Sequence, residues 1–251
     1  MHRFYLPPDQ CQGPLLVLTE REAHHALHVL RVRRGEKVIV LDGAGNELLC
    51  QTEEPGRDDI KLSVVQKHFL PPPPYQITLL QAIPKGKIIE SIIQKATELG
   101  AARVVPLLSE RVATQLNDES TTAKMEKWRL TAIEAIKQCG SAWLPQIDAP
   151  ITPKEFLARG EKFDLPLIAS LQNDCRHPRE YFKTFYAERG RLPRSVCVWV
   201  GPEGDFTPAE MGAIKSAGSL PITLGRLVLR SETAAIYCLS VLHYELQSKY
   251  G

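Results

Sequence analysis

Two glycine-anchored stretches in the last third of the chain carry residue types that could bind a polar small molecule and act on it. They are Gly201-Pro202-Glu203-Gly204-Asp205 and Leu224-Gly225-Arg226-Leu227-Val228-Leu229-Arg230-Ser231-Glu232-Thr233. Glycine has no Cβ, so the backbone there can turn sharply and come close to a ligand. The first stretch follows the apolar run Val196–Val200. It runs into Thr207-Pro208-Ala209-Glu210, a capping box with proline at the favoured first helical position. The second leads into a helix whose apolar pattern holds Ala234, Ala235, Tyr237, Cys238 and Val241. Arg230 and Glu232 stand where a helix N-terminus can bind or orient polar groups. The plainer alternative is that Gly201, Gly204 and Gly225 only close tight turns while Arg230 and Glu232 form a structural ion pair.

Other chemistries find less support. No GxGxxG follows a strand, and Gly86-Lys87-Ile88 lacks the spacing and the Ser or Thr of a phosphate-binding P-loop. No GxSxG occurs, and His177 and His243 have no evident nucleophile. Thr19-Glu20-Arg21-Glu22 has capping-box spacing and predicts a short helix carrying His24, His25 and His28. No third metal ligand has matching spacing, so surface or RNA-facing imidazoles are expected and no metal.

The elements that must position these turns follow from periodicity. Pro71-Pro72-Pro73-Pro74 fits neither a helix interior nor a central strand and marks a junction between residues 1–70 and 75–251. Before it, β-rich runs at Leu15–Leu18, Lys37–Leu41, Glu47–Gln51 and Ile60–His68, with the hairpin signal Asp42-Gly43-Ala44-Gly45, predict a small barrel or curled sheet. After it, Ile77–Ala82 is followed by a helical face at Ile88, Ile89, Ile92, Ile93, Ala96 and Leu99, with Gly100 as a C-terminal cap. The strand Val104–Leu107, a helix around Met125–Cys139, and strands Leu167–Leu171, Val196–Val200 and Ile222–Leu224 continue the pattern. This is an α/β domain with a mostly parallel sheet, whose ligands belong beyond the strands' carboxyl ends.

With 251 residues, 43% of them hydrophobic, the chain can form one large domain or two modest ones; two are expected. A net charge of +2, from 31 basic and 29 acidic residues, does not by itself announce a nucleic-acid partner. Six cysteines without CxxC spacing read as reduced, buried thiols. No stretch resembles a signal peptide or reaches the roughly 18 apolar residues of a membrane span, so a soluble cytoplasmic protein is expected.

Four segments together carry a family resemblance: HHALHVLRVRRGEKVIVLDGAG, KGKIIESIIQKATELGAARVVPLLSERV, GPEGDFTPAE and LGRLVLRSETAA. From about residue 3 to residue 245 the chain resembles the RsmE family, the bacterial 16S ribosomal RNA uracil-N3 methyltransferases of the SPOUT superfamily. The resemblance implies a PUA-like β-barrel that binds RNA, then a methyltransferase domain with a C-terminal trefoil knot. It also implies S-adenosylmethionine held near Leu171, Gly201, Pro202, Glu203, Gly204, Leu224, Gly225 and Leu229 through Thr233, in a homodimer with active sites at the subunit interface.

Methylating N3 of a uracil requires an unpaired base, loss of the N3 proton and stabilisation of negative charge on the ring. Arg230 is the candidate for that charge, and Glu232 either orients it or accepts the proton. Arg31, Arg33 and Arg34 form the strongest phosphate-binding cluster, which Lys85, Lys87, Lys95 and Arg111 would extend. Two places depart from the family: Asp205 stands for a usual second glycine, and Lys137, Ser141 and Trp143 replace a usual Glu and one or two Args. Trp143 either stacks on a base or caps the core. The alternatives to N3 chemistry are a SPOUT enzyme acting on a ribose 2′-oxygen or a guanine nitrogen, and a non-catalytic assembly factor.

Overall fold

A computed structural model describes residues 1–86, 88–111, 118–172 and 174–247. The chain forms two compact units, Met1–Pro72 with Ile133–Leu144, and Pro73–Ala132 with Pro145–Gly251.

In the first unit, β1 (Arg3–Tyr5), β2 (Leu15–Leu18), β3 (Lys37–Leu41), β4 (Asn46–Pro55) and β5 (Ile60–Phe69) make one sheet in the order β1-β3-β4-β5-β2. Only β1 and β3 pair in parallel. Alternation aims Val38, Val40, Leu48, Cys50, Ile60 and Leu62 into a core with Phe4, Leu16 and Leu18. Register shifts at Leu49/Cys50 and Thr52/Pro55 bend the longest pair of strands and curl the sheet.

The β3–β4 turn is held by Asp42, whose Oδ1 accepts the amides of Ala44 (2.8 Å) and Asn46 (2.9 Å). Gly45 has φ +98°, and a Cβ there would come within 2.6 Å of the Trp143 ring. Trp143 also meets Phe69 edge-on and donates its indole N–H to Leu70 O at 3.0 Å. Its edge is therefore used in packing.

The capping box expected at Thr19 does not form. Thr19 precedes α1 (Glu20–His24) but its side chain caps nothing. The Glu22 carboxylate instead accepts the Tyr5 amide at 3.2 Å and pairs with Lys137 Nζ at 2.7 Å. The Lys137 side chain is only 6% exposed, so it needs a carboxylate partner, whereas a helix N-terminal amide can be served by water. The helix widens into a π-helical segment, His25–Leu30, which ends at Arg31 in left-handed backbone. Lys137→Met should destabilise the protein by about 3–5 kcal/mol, because it leaves Glu22 charged and half-buried. Adding Glu22→Leu should restore much of the loss, read as a rise in the urea midpoint over the single variant.

The second unit carries β6 (Gln76–Ala82), β7 (Arg103–Leu107), β8 (Gln146–Ile147), β9 (Leu165–Ala169), β10 (Ser195–Val200) and β11 (Leu220–Ile222). All pair in parallel in the order β11-β9-β10-β6-β7-β8. Helices α2 (Ile88–Glu98), α3 (Asp118–Cys139, whose last turns belong to the first unit), α4 (Pro153–Ala158), α5 (Pro178–Arg189), α6 (Pro208–Ser216) and α7 (Ser231–Gln247) connect and follow the strands. β10 is apolar and buried from Val196 to Val200 because both its faces are covered; Trp199 packs between Phe156 and Phe206. The chain builds to one side of β6 through β7 and β8, then crosses to the other side for β9 and β10. Such a reversal opens a crevice at the strands' carboxyl ends.

β9 stops at Ala169 and β11 at Ile222, two residues short of the expected ends, because 170–172 and 223–225 leave the sheet as turns. The expectation of uniformly buried cysteines is also corrected: Cys139 is exposed at the end of α3, and Cys175 is half-buried. Among the described residues no helix is long and apolar enough to cross a membrane.

Candidate active site at the carboxyl ends of the central strands

Three turns in the second unit enclose one cavity. The first leaves β10 at Gly201, and the Asp205 amide closes it on Pro202 O at 2.9 Å. Asp205 takes φ +61°, a left-handed conformation that Asp tolerates better than most residues. Its Oδ1 accepts the Phe206 amide at 2.8 Å, and its Oδ2 faces the Leu171 amide at 3.5 Å. A Cβ on Gly201 would lie 3.2 Å from both Asp205 Oδ1 and the Phe206 amide, so the turn is tight around a bare backbone.

The turn is anchored from outside as well. Thr207 and Glu210 form the expected capping box. The Glu210 carboxylate additionally accepts the Ser109 hydroxyl (3.1 Å) and the Glu110 amide (2.9 Å), tying the segment after β7 to the start of α6. Arg111 donates to Gly204 O.

The second turn leaves edge strand β11, where the Gly225 amide donates to Thr223 Oγ1 at 3.2 Å. The chain then returns to the middle of the sheet, where Ser231 opens α7. The Ser231 hydroxyl donates to Gly201 O at 3.0 Å and accepts from Gln81 Nε2 at 2.8 Å. Gln81, fully buried at the end of β6, also donates to Ala82 O, while its Oε1 is buried without a partner among the described residues. The third turn follows β9: the Gln172 amide donates to Ser170 Oγ and the Cys175 thiol to Ser170 O. Burial pushes that thiol's pKa above its ordinary value.

The cavity measures about 380 Å³. Of the residues expected from sequence, Leu171, Gly201, Pro202, Glu203, Leu224, Gly225, Leu229 and Ser231 line it. Gly204, Arg230, Glu232 and Thr233 sit beside it in the same segments without lining it. Arg230 is exposed, and among the described residues it forms no ion pair with Glu232. Sequence reasoning missed Ser170, Gln172, Cys175, Thr223 and Gln81. The first four follow strand ends, the right place to look; Gln81 is an amide inside an apolar run, a signal in itself.

The basic candidates fall in both units. In the first, Arg31, Arg33 and Arg34 are exposed on one turn, with Arg34 3.3 Å from Glu54. In the second, Lys85 is exposed, Lys95 pairs with Glu98 at 2.8 Å, and Arg111 serves the Gly204 carbonyl. Lys87 lies outside the described residues. Among the described residues no group of three or more His, Cys, Asp or Glu could hold a metal.

Comparison with known proteins agrees with this geometry. Residues 71–243 match the RNA methyltransferase domain family and residues 18–65 the RNA methyltransferase PUA domain family. Ribosomal RNA small subunit methyltransferase E of Synechocystis is 31% identical, over 98% of this chain and 78% of its own length. Its namesake in Bacillus subtilis is 28% identical over 100% and 99%. Among solved structures, a Legionella pneumophila protein in complex with the cofactor SAM superposes with TM-score 0.86 at 32% identity, covering 96% of both chains. The Neisseria gonorrhoeae ribosomal RNA small subunit methyltransferase E, bound to S-adenosyl methionine, gives 0.83 at 26%, also over 96% of both. With a curled PUA sheet, a parallel methyltransferase sheet and a three-turn cavity at the carboxyl ends of β9, β10 and β11, this chain belongs to the ribosomal RNA small subunit methyltransferase E family.

Proposed function

We propose that this chain is an S-adenosylmethionine-dependent methyltransferase that methylates N3 of a uridine in 16S ribosomal RNA of the small subunit. The observation that carries the reading is the cavity itself, lined by three turns, with the Gln81–Ser231–Gly201 hydrogen-bond chain tying the start of α7 to the β10 turn and to the end of β6. Its chemistry suits the cofactor: bare backbone at Gly201 and Gly225, apolar walls from Leu171, Leu224 and Leu229, and the carboxylates of Glu203 and Asp205 for a cationic ligand. Relatives whose structures hold the same cofactor support it.

The bound cofactor supplies an electrophilic methyl group on a sulfonium. The chain's own residues do the rest. Arg230, exposed beside the cavity and free of Glu232, holds a uracil carbonyl and takes up the negative charge that grows as N3 loses its proton. Glu232, one residue into α7, accepts that proton or orients the guanidinium. Gly204 and Thr233, beside the cavity in the same segments, support the backbone that cradles the cofactor.

Residues 1–70 serve as the PUA-like RNA-binding domain and 75–251 as the methyltransferase domain. Arg31, Arg33 and Arg34 contact phosphates, as do Lys85, Lys95 and Arg111, while Trp143 offers the free part of its ring to the RNA. The return of the chain from β11 at the sheet edge to Ser231 at its centre is consistent with a trefoil knot. Exposed Leu227 and Val228, with Tyr237 and Tyr244 two turns apart on α7, suit the face of a homodimer. The site of action is the cytoplasm.

The test is transfer of labelled methyl from S-adenosylmethionine to small subunits prepared from cells lacking this activity. Label in 16S RNA is expected; unlabelled RNA, with the protein shown to bind the cofactor, overturns the reading.

A further inference from the structure

We infer that Asp205 makes the cavity select the cationic sulfonium donor over its neutral thioether product, so that the spent cofactor leaves readily. The inference rests on the cofactor reading above and adds a specificity-determining residue to it. A glycine would satisfy the left-handed backbone at this position with less strain, so the backbone alone does not account for a carboxylate. One of its oxygens is occupied within the turn, by the Phe206 amide. The other is held only by the long, 3.5 Å contact with the Leu171 amide, which bridges the β9 and β10 turns, and both Asp205 and Leu171 line the cavity. No arginine or lysine pairs with the Asp205 carboxylate among the described residues: Arg111 donates to the carbonyl oxygens of Gly204 and Asp205, and Lys215 pairs with Asp174. An unneutralised carboxylate on a wall of limited dielectric attracts a nearby unit positive charge much more strongly than it would in water.

The donor and its product share adenosine, the α-ammonium and the α-carboxylate. They differ in one methyl and in the charge on sulfur. A carboxylate that acts on the sulfonium therefore changes their affinity ratio, whereas one that acts on the ammonium or merely braces the turn changes both affinities together.

The experiment is calorimetric titration of the full-length protein with S-adenosylmethionine and with S-adenosylhomocysteine, for the wild type, Asp205→Asn and Asp205→Gly. Asparagine keeps the shape, the left-handed tolerance and the bond to the Phe206 amide while removing the charge. Both variants should fold, with melting temperatures close to the wild type. Donor affinity should fall roughly tenfold, about 1.4 kcal/mol, with product affinity nearly unchanged. Equal weakening of both ligands in Asp205→Asn, or no change in either, overturns the inference and leaves the methyltransferase reading intact. A wild type that binds neither ligand overturns both.

Discussion

Arg230→Ala should lose about a hundredfold to a thousandfold in single-turnover methyl transfer while binding S-adenosylmethionine almost as tightly as the wild type. The size follows from removing one charge-stabilising donor from an acyl- or imide-type anion, which typically costs that much in rate. The split between binding and rate follows from position. Arg230 does not line the cofactor cavity, forms no ion pair with Glu232 among the described residues, and stands exposed one residue before the buried Ser231. Removing it leaves Ser231 and the α7 N-terminus in place. A drop in cofactor affinity matching the drop in rate would instead make Arg230 a brace of the cavity. The same assay defines Glu232: if it accepts the N3 proton, the deficit of Glu232→Gln should shrink as pH rises and the uracil ionises unaided. A pH-independent deficit would leave Glu232 the orienting role.

Ser231→Ala should weaken cofactor binding by at least about tenfold and lower stability by about 1–3 kcal/mol. Its hydroxyl joins the start of α7 to two strand ends, donating to Gly201 O after β10 and accepting from Gln81 in β6. Alanine leaves the part-buried Gly201 carbonyl without this donor and releases α7 from β10. Gln81→Leu should weaken cofactor binding in the same direction at a smaller cost in stability, because it removes a buried Oε1 that already lacks a partner. The double variant should bind the cofactor no worse than Ser231→Ala alone, since both changes cut one chain. Additive losses, measured by calorimetry and urea melts, would show that the two residues act separately.

The outline of this site was legible because its signals are local. An apolar run ending in Gly-Pro-Glu-Gly and a capping box at Thr207 can be read from a few consecutive residues, and the structure puts a strand, a tight turn and a helix there. What was not legible depends on partners far away in the chain. β1 and β8, of three and two residues, are too short to show a period and exist because the sheet offers them a neighbour. Thr19-x-x-Glu22 spells a capping box, yet Glu22 is drawn away by a lysine 115 residues later. Read along the chain, Lys137 replaces a family glutamate in a segment expected to face RNA; in three dimensions it is the buried cation of an ion-pair cluster. Gln81 was passed over inside an apolar strand, although an amide there has to be satisfied by something, and Ser231 is that partner.

Methylation of uracil N3 in the small-subunit RNA is tested most directly by mass mapping of 16S RNA nucleosides from cells with and without this gene. One 3-methyluridine per 16S molecule should disappear with the gene and return with the wild-type chain but not with Arg230→Ala. An unchanged level of 3-methyluridine, with loss of a ribose 2′-O-methyl or a methylated guanine in its place, would contradict it.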